Sequence, residues 1–218
     1  MRIYSTESIL REGGIRMKAT TVVLSIVMAL LTCPSPGSAQ RPNTPITLSL
    51  PELKWALEID APDFDVEIMK IAPKNDGTYI FATNKKAGVI LSAFLEKAAR
   101  NGNSQDCRDY YWNKVRQIPL KKERIRMYDW GAMAVVEYII PEHLGMKLNQ
   151  KNLNAYLARD NHWIDIYLSK AGFQEGDGDL FQRILSAVRI KDAYTPTAFD
   201  FFQFGNLSYF RKDYQGAI

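Results

Sequence analysis

The chain has 218 residues, of which 46% are hydrophobic and 24% are charged, a balance typical of a globular domain and not of a disordered chain. Its formal charge is +4, and because four cations and two carboxylates fall within the first 39 residues, the remainder carries only +2. A nucleic-acid-binding protein would need a clustered basic face, so the composition argues against a nucleic-acid partner.

The amino-terminal segment has the pattern of an export signal. Residues 19–31 form an apolar run of about the length of a signal-peptide core, too short for a comfortable membrane span. Small residues at positions 37–39 place the cleavage site before Gln40, so residues 1–39 are predicted to be a signal peptide whose true start is Met17. The mature protein is therefore expected to be periplasmic or secreted, with no membrane span after cleavage.

Two other fates of this segment stay open. The stretch that ends at Cys33 approximates a lipoprotein signal, although Thr32 fits that motif poorly, and an uncleaved segment would act as a membrane anchor. Cys33 and Cys107 lie on opposite sides of the expected cleavage site, so simple cleavage leaves one thiol and no disulfide within the chain.

The next part of the chain predicts a linker followed by four strands. Residues 40–51 contain two prolines, which favours a short extended linker. Alternation of apolar and polar residues predicts strands at 55–59, 64–71 and 78–83, with a turn signal at 75–77. Residues 89–97 fit either a strand or the start of a helix, and we interpret them as a strand.

A helix and three further strands follow. Ser104 is a good N-cap for a helix through about Arg116, and Pro119 ends it. Strands are predicted at 124–129, 132–140 and 163–170, the last with one buried face, while residues 152–158 fit a strand or a turn of helix. Beyond the acidic turn at 175–179, apolar residues at helical spacing predict a helix that reaches Val188.

This order of elements predicts an α+β fold: an antiparallel β-sheet sandwich with helices packed on its faces, followed by a C-terminal repeat-like helix. The segment 163–170, then Phe173, the acidic turn and residues 180–190 resemble the closing strand and helix of the fold shared by PsbP, an extrinsic protein of photosystem II, and the Ran-binding nuclear import factor family. The resemblance covers about residues 52–190. It implies a binding or assembly module.

Residues 198–218 resemble the first part of a tetratricopeptide repeat. Phe201, Phe204 and Gly205 stand where that repeat has Trp, Leu and Gly, and residues 213–217 match the turn into its second helix, although Ser208 replaces the usual tyrosine. Because half a repeat cannot bury its own apolar face, either further repeats follow or the final helix docks on the sandwich. The resemblance makes the following aromatic residues candidates for protein binding: Phe201, Phe204, Tyr209 and Tyr214.

The sequence contains no recognisable catalytic signature, and we expect no catalytic, cofactor-binding or metal-binding residues. Its two histidines, His143 and His162, are far apart in sequence, and Cys107 lies on the apolar side of a predicted helix, where burial is the usual role. An enzyme would require the fold to place Cys107, His143 and Asp165 within reach of one another.

Two charged segments allow weaker hypotheses. Residues 175–179 alternate carboxylates and glycines, and such carboxylates can supply oxygen ligands to calcium. The segment is too short for the twelve-residue loop, however, and N-capping by Asp177 or Asp179 is the simpler role. The basic run between Lys114 and Arg126, with Trp130 nearby, suits a solvated face or else an acidic partner or an anionic lipid surface.

The leading hypothesis is an exported, non-enzymatic protein-binding or assembly module that serves as the N-terminal platform of a tetratricopeptide-repeat protein. Its expected partner is another protein, with possible peripheral association with the envelope. The alternative is a carrier of a small ligand or lipid that uses a pocket between the sheet and the helix that starts at Ser104.

Overall fold

The computed structural model describes residues 45–71, 76–210 and 212. The predicted signal peptide, the first residues of the predicted linker, Cys33 and Tyr214 lie outside these residues. No helix of the described part has the length and apolar character that crossing a membrane requires.

The fold is organised around a seven-stranded sheet in which every pairing is antiparallel. Its strand order is β3-β4-β5-β9-β8-β7-β6. The strands are β3 (Asp65–Ile71), β4 (Gly77–Asn84), β5 (Val89–Lys97), β6 (Glu123–Trp130), β7 (Met133–His143), β8 (Met146–Arg159) and β9 (His162–Lys170). The ambiguous residues 152–158 therefore belong to a strand.

A second, three-stranded sheet is formed by β1 (Ile46–Leu48), β2 (Trp55–Ile59) and β10 (Val188–Asp192), in the order β1-β2-β10. Part of the predicted linker is thus a strand, because Ile46 and Leu48 pair with Ile59 and Leu57 and are buried. The predicted helix ends earlier than expected, since Val188 pairs with β2. The open edge of β2 supplies hydrogen-bond partners that local spacing does not reveal.

The described residues also form three α-helices: α1 (Ser104–Val115), α2 (Gly178–Ser186) and α3 (Ala198–Phe210). The prediction that Ser104 caps α1 is wrong, because the cap is Asn103. The Asn103 side chain accepts a hydrogen bond from the backbone of Asp106 at 3.0 Å, and the Asp106 carboxylate accepts one from the backbone of Asn103 at 2.9 Å. The Ser104 hydroxyl instead donates to the carbonyl of Ala132.

The two faces of the large sheet are covered differently. The three-stranded sheet and α2 cover one face, where Leu91, Ile164 and Phe181 belong to the main hydrophobic core. Helix α1 lies on the other face, over β7, β8 and β9, where Trp112 and Trp163 belong to a second cluster. Strand β9 is therefore buried on both faces and not on one, because it lies in the middle of the sheet. The predicted α+β class is confirmed.

Candidate functional site

Helix α3 presents aromatic side chains to solvent on one side. Phe201, Phe202 and Tyr209 are 63%, 64% and 61% exposed. Phe202 and Tyr209 are seven residues apart and so lie on the same side of the helix, with Gly205 between them. We call these three aromatic residues and Gly205 the outer face of α3. A glycine in the middle of such a face lets another backbone approach closely.

The opposite side of α3 is anchored on the domain. Phe204 is 8% exposed and Leu207 is 2% exposed, and both lie beside Leu50 and Thr78. Asp200 fixes the start of the helix, because its carboxylate accepts hydrogen bonds from the Thr197 backbone at 2.7 Å and from its hydroxyl at 2.6 Å. The helix is therefore docked on the sandwich, which was one of the two arrangements that the sequence left open.

The structure separates the four predicted protein-binding residues. Phe201 and Tyr209 are exposed, whereas Phe204 is buried in the anchor, its ring in edge contact with that of Phe201 at a centroid distance of 6.0 Å. Tyr214 lies outside the described residues. Phe202 joins the outer face although it was not a candidate residue, and its seven-residue spacing from Tyr209 is the signal that would have identified it.

Cys107 has the environment of a structural thiol. It is completely buried on α1, and its sulfur lies 3.7 Å from the carbonyl oxygen of Ile164. Burial, and then the charge of Asp165, raise the pKa of the thiol far above its usual value. Because the thiolate is the nucleophilic form of cysteine, this environment opposes nucleophilic catalysis.

Asp165 lies in a group of polar side chains next to α1. Asn154 donates a hydrogen bond of 3.2 Å to its carboxylate. Burial, opposed by this hydrogen bond and reinforced by the charge of Glu96, raises the pKa of Asp165 to about 7. Glu96 accepts a hydrogen bond from the hydroxyl of Tyr111, whose pKa is itself raised by burial and by Glu96. Asp165 is thus a carboxyl group that can be protonated near neutral pH.

The two histidines are not brought to Asp165. Asp165 pairs with Tyr156, which pairs with Ala134, and His143 lies nine residues farther along β7, about 30 Å away at the rise of a β-strand. His162 points to the opposite face of β9, because it is an odd number of residues from Asp165. The structure therefore does not assemble Cys107, His143 and Asp165 into one site.

The hypothesis of a calcium site finds no support in the acidic turn. Residues Glu175–Asp177 form a 3₁₀ helix, and Asp177 accepts a hydrogen bond from the backbone of Gln174 and forms an ion pair with Lys170 at 3.2 Å. Within the described part of the chain, no three His, Cys, Asp or Glu residues are grouped so that they could hold a metal ion.

The interface between α1 and the sheet is filled by side chains where a carrier would need a pocket. Cys107, Trp112, Tyr138 and Trp163 are all buried there. An open cleft of about 590 Å³ lies elsewhere, between the end of β6 and α2. It is lined by Trp130, Asp179, Gln182, Arg183, Ser186 and Ala187.

Local contacts engage three cations of the basic run of the sequence. Lys114 lies over the ring of Tyr110, 3.5 Å from its centroid, and Lys122 donates hydrogen bonds to the carbonyls of Ile118 and Leu120. Arg126 forms an ion pair with Glu137 at 3.2 Å. These three of the six cations in the run are therefore paired with local groups.

Comparisons with known proteins add two structural similarities. No protein-family model and no curated protein matches the chain. The solution structure of cyanobacterial PsbP from Synechocystis sp. PCC 6803 is 13% identical, covers 74% of this chain and 99% of its own, and has a TM-score of 0.45. LpqN of Mycobacterium tuberculosis, described as involved in cell envelope biogenesis, is 9% identical, covers 69% of this chain and 86% of its own, and has a TM-score of 0.31.

Proposed function

We propose that this protein is an exported, non-enzymatic assembly module whose outer face of α3 receives a second helix, so that the sandwich serves as the platform of a helical-repeat protein. The observation that carries the proposal is the division of α3 into an anchored side and an aromatic exposed side. Three aromatic side chains with more than 60% exposure on one short helix exceed what an isolated domain needs at its surface.

The proposed occupant is the helix predicted after residue 210. The resemblance of residues 213–217 to the turn of a tetratricopeptide repeat predicts that the chain reverses there and runs back along α3. An antiparallel helix in that position would cover Phe202 and Tyr209 and would approach the backbone at Gly205. Export is supported by the signal-like pattern of residues 1–39.

Site-specific cross-linking tests this occupant. The photoreactive residue p-benzoylphenylalanine is placed at position 202 of the full protein in the producing cell, and the products are mapped by mass spectrometry. We expect cross-links to residues of the same chain beyond 210. The same probe at Ile125, which is 48% exposed on β6, is the matched control and should give no such product. Cross-links from position 202 only to other proteins, or none at all, would show that the proposed occupant is wrong.

The non-enzymatic part of the proposal has a separate test. Burial raises the pKa of Asp165 to about 7. Among the described carboxyl groups, this side chain is therefore the best suited to proton transfer near neutral pH. If the purified protein turned over a substrate and Asp165→Asn abolished the turnover without unfolding the domain, the protein would be an enzyme and the proposal would fail.

A further inference from the structure

The hairpin between β7 and β8 extends beyond the strands on either side of it. The last residue of β7 that pairs with β6 is Ile139, opposite Glu123. On the other side, Gly172 donates a backbone hydrogen bond of 2.9 Å to Leu148. Past these contacts β7 and β8 pair only with each other among the described residues, with His143 opposite Met146. We call residues 143–146 the hairpin tip.

The hairpin tip is apolar and conformationally strained. Leu144 is 83% exposed and Met146 is 52% exposed. Leu144 has a φ of 51° and Gly145 a φ of 76°. This left-handed conformation is tolerated by Gly, Asn and Asp, but it costs a leucine roughly 1 kcal/mol or more because its Cβ crowds the backbone. Because the Leu144 side chain is exposed, burial within the described fold does not offset this cost.

The neighbouring hairpins of the same sheet use the expected residues. The turn between β8 and β9 has Asp160 and Asn161 at φ values of 47° and 58°, and the turn between β6 and β7 has Gly131 at 58°. Asn or Asp at position 144 would satisfy the turn equally well. Folding therefore does not account for a leucine at this position, which points to an external contact.

Cations lie at the end of the sheet from which the hairpin tip projects. Lys147 is exposed directly beside it, opposite Glu142 in the hairpin. Lys121 is exposed just before β6, where it forms an ion pair with Glu123 at 2.7 Å. Arg124, exposed at the same end of β6, adds a third cation. In the described part of the chain, this end of the sheet therefore carries three exposed cations and two carboxylates, Glu123 and Glu142.

We propose that the hairpin tip docks the protein on an anionic lipid surface, with Leu144 and Met146 inserted among the lipid headgroups and Lys121, Arg124 and Lys147 facing the phosphates. A projecting apolar tip with cations at its base favours a lipid surface, since each Lys or Arg near an anionic leaflet strengthens binding. This surface is separate from the outer face of α3, so the inference does not depend on the proposed function.

Vesicle binding tests the proposal. The purified protein is mixed with vesicles of phosphatidylcholine and phosphatidylglycerol, or of phosphatidylcholine alone, and the bound fraction is measured by sedimentation at low and at high salt. We expect at least about tenfold stronger partition onto the anionic vesicles, lost at high salt because the cations are screened. Equal partition onto both kinds of vesicle would overturn the proposal.

Leu144→Asn separates binding from folding. The substitution relieves the strained turn, so we expect the midpoint of thermal unfolding to rise by about 2–4 °C. It also removes the inserted side chain, so partition onto anionic vesicles should fall about tenfold. Wild type and variant are compared in the same processed form, which cancels any contribution of residues 19–31. A variant that binds as tightly as wild type would refute insertion of Leu144.

Two matched controls and one association measurement complete the test. Ile68→Ser removes an apolar residue that is 42% exposed on β3, and Lys97→Glu reverses an exposed charge at the other end of the sheet. Both should bind vesicles like wild type, whereas Lys121→Glu with Lys147→Glu should bind weakly. A loss of binding of the same size in either control variant would overturn the proposal. Self-association of wild type that Leu144→Asn abolishes would overturn it too, because the tip would then be a contact between copies of the chain.

Discussion

Among single residues, Asp165 shows how burial changes the chemistry of a side chain. Its neighbours on the sheet are Phe94 and Tyr156, and Asn154 is its hydrogen-bond donor. Burial favours the neutral carboxyl group, and the nearby Glu96 adds repulsion, so the pKa in the folded protein is about 7. An unfolded chain would have an ordinary aspartate at this position.

This difference predicts a pH-dependent stability. Because the folded-state pKa lies above the unfolded value, the folded protein binds more protons between them, and the contribution of Asp165 to the free energy of unfolding falls as pH rises. We expect wild type to lose roughly 1–3 kcal/mol relative to Asp165→Asn between about pH 5 and about pH 8. Urea unfolding at several pH values measures the difference. A constant difference would mean that Asp165 titrates normally.

Gly77 is required where β4 starts beside β5. A Cβ at this position would lie 2.3 Å from the carbonyl oxygen of Leu95 and 2.6 Å from the Cβ of Glu96, contacts that backbone cannot relieve cheaply. We expect Gly77→Ala to lower the free energy of unfolding by about 1–3 kcal/mol. Gly176→Ala is the control, because nothing lies within 4 Å of its added Cβ, and denaturant unfolding should show it near wild type.

Among the elements, α1 shows that a helix start depends on the side chain immediately before the first helical turn. Asn103 and Ser104 are both good capping residues, so local sequence favours neither. In the structure Asn103 makes the reciprocal hydrogen bonds with Asp106, and the Ser104 hydroxyl is engaged with Ala132 on the β6–β7 connection. The helix therefore begins at Ser104, one residue earlier than a Ser104 cap would place it.

Two substitutions at Asn103 test this cap. Asn103→Ala removes the side-chain acceptor for the backbone of Asp106 and should destabilise the domain by about 1 kcal/mol. Asn103→Gly should lower the free energy of unfolding by only about a few tenths of a kcal/mol, since glycine adopts the cap conformation and leaves the backbone open to water. Thermal unfolding of the two variants compares them. Equal stability of Asn103→Ala and wild type would contradict the assignment of the cap.

Across the whole molecule, a buried carboxylate joins distant parts of the chain. Glu58 on β2 is only 4% exposed, and on β10 Arg189 lies 2.8 Å and Lys191 3.1 Å from its oxygens. Burial alone would raise the pKa of Glu58, but the hydrogen bonds and charges of these two cations outweigh it and lower the pKa. These two ion pairs hold β10 against β2.

Loss of this carboxylate should weaken the domain in a pH-dependent way. Because the folded-state pKa of Glu58 is lowered, its contribution is present above the unfolded pKa and disappears as pH falls through the folded value. We expect Glu58→Gln to cost roughly 1–2 kcal/mol near neutral pH and almost nothing in strong acid. Denaturant unfolding as a function of pH measures this, and a cost that persists in strong acid would exclude the ionic contribution.

Local patterns predicted most of the strands. The alternation in residues 55–59 matches β2, residues 89–97 form the strand β5 as interpreted, and the apolar spacing from Leu180 to Leu185 matches α2. Periodicity succeeds for α2 because the helix buries one side against the core, and burial selects side chains at the period of the helix. Val188 also fits the helical spacing, yet it lies in β10, because a partner 129 residues away in sequence supplies its hydrogen bonds.

By itself, the sequence determined the α+β class, the positions of the long elements and the lack of a recognisable catalytic signature, because periodicity and turn residues act over a few neighbours. Only the tertiary structure decided which side of α3 is buried, that Asp165 is a carboxyl group with a raised pKa, and that Leu144 stands exposed at a strained tip. These properties depend on which distant residues pack against each side chain. Such contacts follow from sheet order and register, which one strand's sequence does not contain.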